Sequence, residues 1–298
     1  MTHPGLVWPV PAGTPITDQP SSRAVTRVVV PAKINLALVV GEARPDGLHE
    51  VVTVMQRIDL HDRLSLEPGE ALLVRGFSDD TLVSCALKRL AAAAGVEPRW
   101  RVRIEKRIPV AAGLGGGSAD AAAALVLANQ SFTKPLGADA LAELAAGVGS
   151  DVPFFLQPGP KLAEGAGERL RRLDLPQDYW IVVALPLRAA KPSTAEVYRR
   201  FDDLGGGPGF EARRLALLDA LERCRRPRDF AAFPPNDLAA VVGGGEIAEE
   251  LRAAGAFRAD VSGAGPAVYG VFSHRARARA AARGVARRAR SWVTVPVW

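Results

Sequence analysis

An α+β fold in two parts is what this sequence predicts, on three observations. From Val25 the chain runs in apolar, β-branched stretches. A glycine-rich segment at 113–117 stands between a strand-like run and an alanine-rich one. Through roughly the last eighty residues, helix-like and strand-like segments alternate. Helices alternating with strands imply an α+β layer with a small mixed sheet. A length of 298 residues leaves room for two modest domains. We expect a loosely packed tail over 1–24, a first domain over 25–160 and a second over 161–298.

Each element has its own signal. Residues 1–24 are proline-rich, polar and without periodicity. VTRVVVPAKINLALVV (25–40) reads as strand, followed by DRLSLEP (62–68) and ALLVRGF (71–77) with turn residues between. Leu82, Val83, Ala86, Leu87 and Leu90 recur at helical spacing up to Gly95. WRVRIEKRIPV alternates apolar and charged residues, as a half-buried strand does. The alanine-rich run predicts a helix from about Ser118 or Ala119, and a second covers 138–146. Beyond it come a strand pair at 161–173 and 180–185, a helix at 194–204 and another from Glu211. IAEELRAAG then reads as helix, AVYGVF as strand, the arginine-rich 275–290 as helix and WVTVPVW as a last strand.

Composition excludes several classes. The N-terminus lacks the basic start and apolar core of a signal peptide, and no apolar run approaches a membrane span. Cys85 and Cys224 stand far apart, as free thiols in a reducing compartment. The four histidines show no metal-ligand spacing. We therefore expect a cytoplasmic protein without a metal site of its own and without membrane or nucleic-acid partners. The formal charge of +6 owes most to arginines between Arg275 and Arg290. No aromatic residue interleaves with them, so that stretch reads as a solvated helix face.

The most informative segment runs Pro109, Val110, Ala111, Ala112, Gly113, Leu114, Gly115, Gly116, Gly117, Ser118, Ala119. Glycines leave room for a ligand and permit backbone angles closed to other residues. Backbone N–H groups at a loop leading into a helix suit phosphate oxygens, and Ser118 adds a hydroxyl. No Gly-Lys-Ser/Thr follows, so this is not a Walker A loop. Counting from Gly113, the last position of a dinucleotide fingerprint falls on Ser118 and the pattern fails. A plain structural turn remains open on the loop alone.

PAKINLALVV, DGLHEVVTVMQRIDLHDRL, IPVAAGLGGGSADAAAAL, GSDVPFFL and VSGAGPAVYGVF occur in that order. Together they resemble the GHMP kinases, and within them the branch acting on 4-diphosphocytidyl-2-C-methyl-D-erythritol. The resemblance spans about residues 27–275. It implies a ribosomal protein S5 domain 2-like N-terminal domain that binds ATP and a ferredoxin-like C-terminal domain. It also implies ATP as co-substrate in the glycine loop, Mg²⁺ accompanying the nucleotide, a small-molecule acceptor, and a monomer or homodimer. By the same resemblance Asp151 is the catalytic aspartate and Lys33 its partner on the transferring phosphoryl group. Asn35, on the same strand face as Lys33, would hydrogen-bond the substrate, His49 would read the cytosine edge, and Thr194 would lie near the cytidine diphosphate. This chain departs from the family pattern twice. Leu48 stands where an aromatic residue able to stack on cytosine is usual, and Ala119 stands where a second loop serine is usual.

Overall fold

The computed structural model describes residues 25–77, 81–188 and 193–298; segment 1–24 and the expectation for it lie outside the described residues. Two long strands, β1 (Thr26–Ala43) and β2 (His49–Pro68), form the spine of the first half. They pair antiparallel, with register shifts at Pro31/Ala32, Asn35/Ala37 and Val40/Ala43. Such bulges re-aim side chains, and the second lies beside Lys33 and Asn35. The separate strand expected at 62–68 is the far end of β2, because β1 continues opposite it with no turn intervening.

β1 occupies one edge of β2. The other edge is shared by β4 (Trp100–Glu105), which pairs with Arg63–Pro68, and β5 (Lys161–Glu164), which pairs with Thr53–Met55. β3 (Leu73–Arg75) lies parallel to β4 and β6 (Arg169–Arg172) antiparallel to β5, completing a six-stranded sheet. The first sheet thus runs past residue 160 to Arg172, and we place the passage to the second half between Arg172 and Trp180.

Three helices cover this sheet: α1 (Leu82–Ala94), α2 (Gly116–Gln130) and α3 (Ala138–Ala146). α1 buries the stripe Val83, Ala86, Leu87 and Leu90 and ends at Gly95 in the left-handed conformation, φ 67°. α2 is buried almost throughout from Ala119 to Asn129, and small alanines let it sit between α1 and the sheet. It begins at Gly116, two residues before the expected Ser118. Gly116 and Gly117 therefore form its first turn and are not free loop.

The second sheet holds β7 (Trp180–Pro186), β8 (Arg258–Val261), β9 (Val268–Phe272) and β10 (Ala289–Thr294), in the order β10-β7-β9-β8, all antiparallel. Numbered as they occur, these strands stand 4-1-3-2. Helices α4 (Thr194–Asp203), α5 (Phe210–Arg223), α6 (Ala239–Val242) and α7 (Gly245–Ala253) fall between the first and second strands. α8 (Arg275–Gly284) falls between the third and fourth. This is the ferredoxin-like split βαβ arrangement, as expected.

The arginine-rich stretch is α-helical to Gly284 and continues as a 3₁₀ turn over Val285–Arg287; Arg290 already belongs to β10, drawn there by pairing with Leu185. Arg275 lies over the Trp180 ring and Arg290 over Trp292, while Arg288 pairs with Glu246 and Glu250. Packing and ion pairs thus engage these arginines. None of them lines the cleft described below.

One apolar cluster joins the halves, with Ala32, Ile34 and Leu36 of β1 against Tyr179, Ile181, Phe230 and Tyr269. The chain also returns from the second sheet to the first. Val295 O accepts from Asp59 N, Pro296 bridges Ile58, Val297 N donates to Arg57 O, and Trp298 lies against Gly159 and under Arg172. Cys224 is buried and Cys85 half-buried, both free. Among the described residues no helix is long and apolar enough to cross a membrane.

Candidate active site

A cleft of about 670 Å³ opens between the halves, lined by the glycine segment, the middle of β1, the turn at 149–151, the start of α4 and the loop 263–265. Pro109 to Ser118 all line it. Ala112 and Leu114 have buried side chains, so they meet the cleft through backbone. Ala119 does not line it; its methyl is buried in the α1–α2 core. A serine there would point into that core, so the hydroxyl counted as missing from the loop would not have faced the nucleotide.

The loop's glycines are required first by docking. Gly113 has φ 80°, and a Cβ on it would lie 1.9 Å from the Ser262 carbonyl oxygen; a Cβ on Gly265 would lie 2.0 Å from Gly113 N. Ala267 N donates to Ala112 O, and Ser262 Oγ donates to Gly113 O. The two glycine motifs are therefore pressed backbone to backbone across the halves. Gly115, φ 68°, precedes α2, and a Cβ there would strike Lys33 Cγ at 2.9 Å and Phe155 at 3.0 Å. Gly116 has no positive φ, and its Cβ would meet Ile108 and Lys106. Packing against Ile108 and Lys106 is thus a reason for glycine at 116 that needs no ligand, although Gly116 still lines the cleft. The leading N–H groups of α2 have no acceptor within the helix, and the residues that carry them, Gly116 to Ser118, line the cleft, as an anion site requires.

Lys33 and Asp151 come together from 118 positions apart, Nζ to Oδ2 3.2 Å. Lys33 is buried and Asp151 a third exposed to the cleft. Lys33 Nζ also donates to Asn35 Oδ1 at 2.6 Å, and Asn35 Nδ2 donates to Thr53 Oγ1 at 2.8 Å, which donates on to Ala37 O at 2.6 Å. Asn35 lines the cleft, yet both ends of its amide are engaged inside the protein. The geometry makes it a holder of Lys33 and weakens the expectation that it binds substrate.

At the other end, Thr194 opens α4, whose N-cap Ser193 accepts from Glu196 N at 3.1 Å. His49 is buried behind this helix, its Nε2 2.8 Å from Asp202 Oδ1 and its ring 4.7 Å from Tyr198. Tyr198 lines the cleft, whereas His49 does not. Burial, helped by nearby Asp151, pushes the Tyr198 phenol well up, so it remains a neutral donor. Leu48 is half exposed.

Residues beyond those expected complete the cleft. Lys106 Nζ donates to Asp62 Oδ2 at 2.5 Å and Asp120 Oδ2 at 2.8 Å, both carboxylates buried. Burial depresses the ammonium, but the attraction and hydrogen bonds of Asp120 and Asp62 outweigh it and raise its pKa. Asp62 also accepts from Arg107 N and Ile108 N, pinning the strand that enters the glycine loop. No local sequence pattern ties Asp62, Lys106 and Asp120, which lie on three elements. Tyr198 and Asp202 were findable, since they stand i+4 and i+8 from Thr194 on one helix.

A lysine–aspartate pair beneath an anion-binding loop, in a cleft of two α+β halves, defines a GHMP-type small-molecule kinase. Residues 81–159 match the GHMP kinases N terminal domain and 245–290 the GHMP kinases C terminal. A 4-diphosphocytidyl-2-C-methyl-D-erythritol kinase of Pelotomaculum thermopropionicum is 42% identical over 269 residues, covering 83% of this chain and 89% of its own. One of Salinispora tropica is 38% identical, with 94% and 96% covered. The crystal structure of a 4-(cytidine 5'-diphospho)-2C-methyl-D-erythritol kinase superposes with a TM-score of 0.74 at 34% identity, over 92% of this chain and all of that one. The Methanococcus jannaschii mevalonate kinase shares the fold, TM-score 0.72, at 14% identity. The chain belongs to the 4-diphosphocytidyl-2-C-methyl-D-erythritol kinase family.

Proposed function

We propose that this chain transfers the γ-phosphoryl group of ATP to the 2-hydroxyl of 4-diphosphocytidyl-2-C-methyl-D-erythritol, giving the 2-phosphate and ADP in the non-mevalonate route to isoprenoid precursors. The observation that carries it is the Lys33–Asp151 pair at 3.2 Å beside the glycine loop. The acceptor oxygen attacks the γ-phosphorus as the bond to the β-phosphate oxygen breaks, and its proton passes to the Asp151 carboxylate. Lys33, held by Asn35, balances charge on the phosphoryl oxygens in transit. The α2 N-terminus and the loop amides hold the remaining phosphates.

Tyr198 supplies the aromatic face that Leu48 lacks. It lines the cleft beside His49, and Asp202 fixes the imidazole. We assign the cytosine to this end of the cleft and the diphosphate to the neighbourhood of Thr194. Mg²⁺ fits as a nucleotide-borne ion. Among the described residues no three ligating side chains cluster, and Mg²⁺ bound through phosphates needs few protein oxygens. The Ser118 hydroxyl would be one such oxygen, and the ion would supply charge neutralisation. The protein would work in the cytoplasm as a monomer or homodimer.

A coupled assay of ADP release tests the reading, with the purified protein, ATP and 4-diphosphocytidyl-2-C-methyl-D-erythritol. Turnover with that acceptor and none with mevalonate or homoserine is expected. Phosphorylation of mevalonate in its place would overturn the substrate assignment.

A further inference from the structure

The catalytic turn is held from beneath by a cation that the reaction itself does not use. Asp151 stands in the turn two residues before the short 3₁₀ segment Pro153–Leu156, and Phe155 of that segment packs where a Cβ on Gly115 would be. Arg57, on β2, is the direct register partner of Lys33 on β1, so their side chains leave the sheet on the same face. The Arg57 Nη2 donates to Phe155 O at 2.9 Å and Gln157 O at 2.5 Å, with Phe154 O at 3.3 Å. Its guanidinium lies 5.6 Å and 5.9 Å from the Phe154 and Phe155 ring centres. Arg57 is 5% exposed, makes no ion pair among the described residues, and its Nε has no hydrogen-bond partner.

A buried cation without a carboxylate is costly, and removing it would leave three carbonyl oxygens short of a donor. Plain burial would be served better by an apolar residue. What Arg57 does is tie down the C-terminal end of the segment that the Asp151 turn leads into. Two neighbouring cations on the same sheet act on either side. Lys33 takes the Asp151 carboxylate, and Lys161 donates to the Pro158 and Gly159 carbonyls. The backbone of Arg57 is fixed in turn, since its carbonyl accepts from Val297 N and Gln56 Nε2.

We infer that Arg57 is a positioning residue for phosphoryl transfer, clamping the Phe154, Phe155 and Gln157 carbonyls so that Asp151 meets Lys33 and the acceptor hydroxyl at reacting distance. This rests on the assignment of Asp151 as the proton acceptor. A displacement near 1 Å at such a group costs about a hundredfold in rate. Substrate binding, made by other elements, is left alone.

The test measures kcat and both KM values for Arg57→Met and Arg57→Lys, each alone and combined with Asp151→Asn, on protein shown folded by circular dichroism. The expected kcat losses are about ten- to hundredfold for Met and about three- to tenfold for Lys, whose ammonium reaches fewer carbonyls. Both KM values stay within about threefold of wild type. In the Asp151→Asn background either change costs less than about twofold, because Arg57 acts through the carboxylate already removed. Arg57→Lys keeps the buried charge and decides the matter if the Met variant does not fold. A folded variant with kcat within twofold of wild type, or a full loss repeated in the Asp151→Asn background, overturns the inference. Wild-type turnover in Asp151→Asn alone would instead overturn the assignment of Asp151.

Discussion

Lys33 is fixed through its backbone, its neighbour and its counter-charge: its N–H donates to Leu114 O, and its ammonium to Asn35 and Asp151. Asp151→Asn keeps the shape but removes the proton acceptor, so kcat is expected to fall by about 10²–10⁴ with substrate affinity retained. Asn35→Leu frees the Lys33 ammonium, and steady-state kinetics should show kcat lower by about ten- to hundredfold with KM little changed. The reverse pattern, raised KM at normal kcat, would return Asn35 to substrate binding. Lys106 has a different task. Lys106→Met leaves two buried carboxylates facing each other, a loss of about 3–5 kcal/mol, read as a lowered denaturation midpoint. Lys106 titrates higher in the folded chain, so the ion pairs stabilise fully below its ordinary pKa. That contribution is lost only as pH climbs through the raised value. Short, specific runs of sequence singled out Lys33 and Asp151, which the fold brings together, and also His49, which lies behind α4 and does not line the cleft. Lys106 and Asp62 were not legible, since the partners of Lys106 lie 44 and 14 positions away on other elements.

Elements were read best where local chemistry decides them and worst where pairing does. The stripe of α1 and its glycine stop came through unaltered, as did the alternation of β4. The length of β2 did not, because a strand continues for as long as its partner does, and β1 runs opposite it to Thr26. The start of α2 was misplaced because glycine is a poor helix former in isolation. Here Gly116 and Gly117 are held helical by the Ala119 N–H to Gly115 O bond and by Ile108 and Leu82 packed beside them. The docked glycine motifs give a sharp expectation. In Gly265→Ala the new methyl must displace the 112–113 backbone, and KM for ATP should rise at least about tenfold as the phosphate loop is lifted. Gly245→Ala, where a Cβ meets nothing within 4 Å, is the matched control and should leave ATP kinetics unchanged.

Over the whole molecule, the first half carries Lys33 on its sheet and Asp151 on the turn at 149–151, the second half supplies loop 263–265 and α4, and the apolar cluster through β1 joins the two. Burial, with Arg57 and Arg172 close by, pulls the Lys161 ammonium down to about 8. Between about pH 8 and its ordinary 10.5 the folded chain has released a proton that the unfolded chain still holds. Stability therefore gains from this group as pH rises through that window. Lys161→Met should flatten that part of the stability profile, measured by denaturant titration at a series of pH values. The return of 295–298 onto β2 has a consequence in time. Those four residues leave the ribosome after every other described part of the chain, yet they close hydrogen bonds at Asp59 and Arg57, behind the catalytic turn. A nascent chain stalled with Thr294 just outside the exit tunnel would have both sheets and the glycine loop in hand. What it would lack is the brace that 295–298 lay against Arg57 and Asp59, behind the turn that carries Asp151.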